Sequence, residues 1–196
     1  MRTNRLEAFS DGVLAIIITI MVLELVPPHG TSFEALRELA PVFFAYVLSF
    51  VNVGIYWNNH HHLLHASRIV DGKVLWANLF LLFWLSLFPF TTAWMGETWT
   101  GESGLATLPV ALYGVALLMA SIAYYVLERQ LIRIQPPDAR LGEAVGLELK
   151  GITSTVAYVF AIATSLVLPA VSVAIYVGVA IWWFIPDRRI ERAVRR

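Results

Sequence analysis

Six apolar runs of roughly twenty residues or slightly fewer, separated by shorter polar stretches, make up most of this chain. Hydropathy read in windows the width of a bilayer core places them at about 6–26, 41–63, 74–94, 105–127, 151–168 and 171–185. A hydrocarbon core about 30 Å thick takes roughly 20 residues of helix, so each run predicts a transmembrane helix. In the first, Asn4 and Glu7 have the spacing of an N-cap and its capping-box partner, and Pro27 and Pro28 supply the stop. Residues 31–40 form a short charged linker with helical spacing. The third run carries Trp76 and Trp94 where interfacial aromatics are favoured and Pro89 where a bend is expected. Gly96, Gly101 and Gly104 then mark a loop, 128–149 reads as a polar loop broken by Pro136 and Pro137, and the last two runs are joined tightly at Pro169. The pattern predicts an all-α integral membrane protein, one domain over residues 1–196 with six transmembrane helices.

Composition supports the bilayer. With 58% hydrophobic residues, 14% charged and a mean hydropathy of +0.69, the chain is too apolar for a water-soluble domain of its size. The first run could pass for a signal peptide, but it holds Asp11 at its head and Glu24 at its tail with no small-residue cleavage pattern after it, and it is read as a retained span. The absence of cysteine removes disulfides, thiolate metal sites and cysteine nucleophiles.

Charge supplies orientation. An even number of spans puts both ends on one side, and of the 14 Lys and Arg residues only Arg37 falls on the other. By the positive-inside rule both termini are cytoplasmic.

The first run opens with a polar head, Arg5, Glu7, Ser10 and Asp11, that continues without interruption into Ile, Leu, Val and Met. Ionisable groups inside a span mark function by default. At 3.6 residues per turn, Gly12, Ile16, Thr19, Ile20 and Leu23 share one stripe. Periodicity alone leaves that stripe facing lipid, other helices or a pore. Ser10 and Asp11 likewise have a plain reading, favouring the positive end of the helix dipole by about 0.3 to 1 kcal/mol.

Arg5-x-x-x-Phe9-Ser10-Asp11 resembles the signature of the lysosomal potassium channel family, transmembrane protein 175, and its bacterial relatives. Trp57-x-x-His60 in the second span, Asn78 in the third and Pro89 near its end fit the single-repeat bacterial form of that family. The resemblance implies a homotetramer in a bacterial plasma membrane, with the first helix of each subunit lining a central pore for potassium ions. It places the narrowest ring at Ile16 and further pore layers at Thr19, Ile20 and Leu23, which coincide with the stripe above. It also assigns Arg5, Phe9, Ser10 and Asp11 to a structural motif, with Trp57, His60 and Asn78 as polar partners.

A ring of Ile offers no oxygen to replace an ion's water shell, so it gates by dewetting. The chain has no TVGYG carbonyl filter, and weak selectivity for potassium over sodium is expected. A coupled secondary transporter using Asp11 and His60 as relay groups is the alternative. His60, His61, His62 and His65 invite a metal, but His29, the remaining histidine, lies on the opposite side, and no metal or cofactor is expected. No nucleophile with a paired base is evident, so no enzyme is expected. Glu128, Asp138, Glu143 and Glu148 read as a solvated mixed-charge loop, and the basic tail from Asp187 to Arg196 reads as a contact for lipid headgroups, with no nucleic-acid partner.

Overall fold

The computed structural model describes residues 3–99, 104–136 and 148–184. Among these residues there are eight helices: α1 (Thr3–Leu23), α2 (Phe33–Glu38), α3 (Ala40–His65), α4 (Gly72–Ser86), α5 (Phe88–Glu97), α6 (Thr107–Ile134), α7 (Glu148–Ser165) and α8 (Pro169–Phe184). In lipid each backbone N–H and C=O must be paired within its own segment, which only helices achieve along a single crossing. Among the described residues four stretches are long and apolar enough to cross a membrane: α1, α3, α6, and α4 with α5 taken together over Gly72–Glu97. The shorter α8 is also apolar, and α7 has 18 residues.

Local chemistry sets the boundaries. α1 ends at Leu23, before the Pro27-Pro28 pair, and Asn4 lies inside the helix, so Asn4 and Glu7 do not form the expected capping box. Asp71 caps α4, its Oδ1 accepting from the Val74 N–H at 2.9 Å. The third span breaks at Leu87, and Pro89 sits in the first turn of α5, where its missing N–H leaves no bond unmade.

Several expectations are corrected. α6 runs on to Ile134, so residues 128–134 are helical. Glu128 is buried in α6, whose apolar and aromatic positions carry it inward, and is not on a solvated loop. Glu148 opens α7, while Gly101, Asp138, Glu143 and the basic tail lie outside the described residues. Gly96 is a packing residue of α5: a Cβ there would stand 2.9 Å from Val42 Cα. Gly114 of α6 is similar, since its bare backbone admits the Tyr176 ring, whose hydroxyl donates to the Val110 carbonyl at 3.1 Å.

The core runs through the bundle along Leu81, Leu85, Phe88, Tyr113, Leu117 and Tyr176, all buried. α1 stands at its edge, packed on α3, α4 and α5. A peripheral helix keeps one face uncovered within the subunit, and that face is where a pathway could lie.

Candidate functional site

Leu6, Ser10, Leu14, Ile17 and Met21 of α1 are buried, following steps of three and four. Arg5, Phe9, Gly12, Ile16, Thr19, Ile20 and Leu23 are exposed. At 100° per residue the two sets are centred about 130° apart, so one face packs on the subunit and another is bare. The bare face holds large apolar groups: Ile16 is 59% exposed, Ile20 41% and Leu23 76%. Burial favours apolar side chains by about 25 cal/mol per Å², so this face calls for lipid or another subunit at its edges. The Thr19 hydroxyl donates to the Ile16 carbonyl at 2.9 Å, which occupies its proton and leaves its oxygen lone pairs on the bare face.

The packed side of α1 carries a chain of hydrogen bonds. Asn78 of α4 donates through Nδ2 to Ser10 Oγ at 3.0 Å, and Ser10 donates to the Leu6 carbonyl at 2.9 Å. Asn78 Oδ1 lies 2.7 Å from His60 Nε2. An amide oxygen only accepts, so His60 is the donor and its proton sits on Nε2. Ser10 and Asn78 are 0% exposed and His60 1%, so each broken link would strand a buried polar atom. Nδ1 of His60 is itself buried with no hydrogen-bond partner among the described residues.

A second set of bonds runs along the flank of α1. Trp57 Nε1 of α3 donates to Asp11 Oδ1 at 3.0 Å. One turn nearer the N terminus, His61 Nδ1 lies 2.7 Å from Glu7 Oε1. Glu7 and Asp11 are four residues apart on α1, as Trp57 and His61 are on α3, and the rings of the latter pair stack with centroids 6.2 Å apart. The helices are antiparallel, and the two bonds form successive rungs between them.

Six of the residues singled out from the sequence are therefore placed as follows: Ser10, His60 and Asn78 in one chain of bonds, Asp11 and Trp57 in one rung, and Arg5 apart from both. Arg5 was expected to bond the second and third spans, but it shares the bare face with Phe9 and, among the described residues, makes no hydrogen bond or ion pair within the subunit. Its position in the helical period, seven residues before Gly12, explains this. Sequence reasoning missed the Glu7–His61 rung. The i, i+4 match of Glu7/Asp11 with Trp57/His61 was the available signal. At the other end of α1 an open groove of about 510 Å³ is lined by Ile20, Glu24, Ser86, Pro89, Phe90, Ala93, Trp94 and Glu97. Among the described residues no three His, Asp or Glu side chains converge to hold a metal.

Residues 5–89, which contain every bond of this anchor, match the family model described as endosomal/lysosomal potassium channel TMEM175. The chain is 51% identical over 195 residues to a potassium channel of Chryseobacterium sp. (strain P1-3), covering 100% of this chain and 99% of the relative. It is 36% identical over 93 residues to the human endosomal/lysosomal proton channel TMEM175, covering 41% of this chain and 18% of that one. Among solved structures it is similar to the crystal structure of a lysosomal potassium-selective channel TMEM175 homolog from Chamaesiphon minutus, with a TM-score of 0.80, 27% identity, and coverage of 93% of this chain and 96% of that one. With apolar spans throughout and similarity along its whole length, this multi-pass membrane protein belongs to the TMEM175 family.

Proposed function

We propose that this chain is a potassium channel of the cell membrane, built as a homotetramer whose pore is lined by the bare face of α1. Each subunit crosses six times with both ends in the cytoplasm, α7 and α8 supplying the last two crossings. The observation that carries the reading is the division of α1: one face packed and hydrogen-bonded to α3 and α4, the other presenting Ile16, Thr19, Ile20 and Leu23 uncovered. One such helix cannot enclose a pathway, and with a single Arg-x-x-x-Phe-Ser-Asp per chain several copies are required; the family resemblance makes the number four.

In this arrangement Ile16 is the narrowest ring. It holds ions back by the cost of stripping water, with the Thr19 oxygens offering the first polar contact beyond it. Selectivity for potassium over sodium is weak, since only side chains and partial dehydration discriminate. Ser10, Asp11, Trp57, His60 and Asn78 hold the helix in place and do not meet the ion; Arg5 and Phe9 continue the bare face toward the cytoplasm. The relay alternative finds less support, because Asp11 bonds Trp57 while His60 bonds Asn78, and among the described residues no hydrogen bond joins the two sets.

The test is the reversal potential of purified protein in liposomes or planar bilayers under a potassium/sodium gradient. A potential displaced toward potassium, with flux that does not saturate or accumulate solute against a gradient, supports the channel. Absence of conduction defeats it, and gradient-driven accumulation of a solute supports the transporter.

A further inference from the structure

Two histidines of α3 face α1, and they differ in access. His60 is 1% exposed with Nε2 committed to Asn78. The side chain of His61 is 42% exposed while that of its partner, Glu7, is 19% exposed. A water-accessible imidazole thus bonds a largely shielded carboxylate on the pore helix itself. We propose that Glu7 and His61 are positioning residues for the cytoplasmic turn of α1, joined by a bond that tightens when the cytoplasm acidifies. This rests on the reading of α1 as a pore helix with its N terminus inside.

The chemistry follows from the atoms. Ionised Glu7 only accepts, so Nδ1 of His61 carries the proton of the 2.7 Å bond in either charge state. Neutral His61 makes an ordinary donor to a carboxylate. A second proton, at Nε2, adds the attraction of an imidazolium for a carboxylate to a bond that the ionised acceptor already makes charge-assisted. Histidine is the side chain that ordinarily changes charge between about pH 5 and 8.

The surroundings are mixed. Glu7 and, one turn outward, Asp11 on α1 attract charge at His61, whereas His60, His62 and His65 on α3 repel it, with the last two rings centred 5.6 and 5.9 Å away. Arg5 on α1 is exposed on the bare face. At the start of α4, Lys73 is exposed and the Asp71 carboxylate is engaged as the helix cap. Glu7 is the charged group in contact. Because α3 lies on the packed side of α1, a tighter rung draws the inner turn away from the pore axis, and acid on the cytoplasmic side favours conduction. The neighbouring rung, Trp57 to Asp11, contains no imidazole and is the internal comparison for this one.

Full-length protein reconstituted in one orientation tests this with Glu7→Gln and His61→Gln, both of which retain hydrogen-bonding groups and remove the titrating pair. Wild-type current is expected to rise about two- to fivefold as cytoplasmic pH falls from about 8 to about 5.5, with both variants flat and His65→Gln responding like wild type. A His61→Gln response equal to that of wild type overturns the proposal, as does a wild-type response to external pH alone. Thermal unfolding of the purified protein is read in parallel, without reliance on conduction. Glu7→Gln is expected to lower Tm more at about pH 5.5 than at about pH 8, and equal losses at the two pH values overturn the proposal. A non-conducting wild type with the unequal Tm losses defeats the channel reading and leaves the rung supported.

Discussion

Two polar clusters in this bundle are built from different chemistry. In one, Ser49 of α3, Thr92 of α5 and Tyr113 of α6 meet through their hydroxyls, with Ser49 2.6 Å from Thr92 and 3.0 Å from Tyr113. It contains no ionisable acid or imidazole, and none of its members lies on α1. In the other, α1 meets α3 and α4 through Glu7, Ser10, Asp11, Trp57, His60, His61 and Asn78. Neutral hydroxyls suffice to join spans that stay packed on both sides. In the second cluster charged and amide groups, which cost more to place in a membrane, meet a helix that is packed on one side only. On the proposed function, the difference separates structural cohesion from positioning of the ion pathway.

The sharpest break between the clusters comes from Asp11→Ala. It strips the acceptor from Trp57 and is expected to abolish tetramer formation or current, read by size-exclusion chromatography with light scattering and by liposome flux. A normal tetramer with unchanged conductance would mean that the rung does not position α1. Next in size is Ile16→Asn, which leaves the anchor intact and introduces a polar ring at the proposed constriction. Conductance is expected to rise several-fold and the potassium/sodium permeability ratio to fall, both seen in bilayer recordings.

Asn78→Leu should act chiefly on stability. It strands Ser10 and the His60 N–H in a dry environment, at a cost of about 2 to 4 kcal/mol measured by thermal or denaturant unfolding, and current should fall with it. Ser49→Ala is the smallest: a loss of about 1 kcal/mol with conductance unchanged. If Ser49→Ala lowered current as far as Asn78→Leu does, the distinction between the two clusters would collapse.

Much of the helical layout was legible because membrane spans announce themselves by length and apolarity, and because Pro27, Pro28 and Pro89 carry their own backbone restrictions. The stripe of α1 that stays bare was grouped by a period of 3.6 residues, and the family resemblance, not the period, singled it out. Its opposite face was not, since burial of Leu14, Ile17 and Met21 depends on where α3, α4 and α5 stand. Glu7 was misread as part of a capping box because short-range spacing fitted, while its partner lies 54 residues away, at His61. Glu128 looked solvated because Arg129 and Arg133 follow it, yet one helical face carries it inward with Tyr124 and Leu131. The Ser49–Thr92–Tyr113 cluster joins residues 43 and 64 positions apart, beyond the reach of any local pattern.

The central claim is that the bare face of α1 is the wall of the ion pathway, and the chain suits its most direct test because it contains no native cysteine. Single cysteines at Gly12, Ile16, Thr19 and Leu23, and as controls at Leu14, Ile17 and Met21, can be exposed to a membrane-impermeant thiol reagent during recording. The account predicts that current is blocked at every position of the first set while the channel conducts, more slowly at Thr19 and Leu23 when the reagent must pass residue 16 to reach them, and is unaffected at the second. Block at Leu14 and Ile17 without block at Thr19 and Leu23, or modification of the first set with undiminished current, would contradict it.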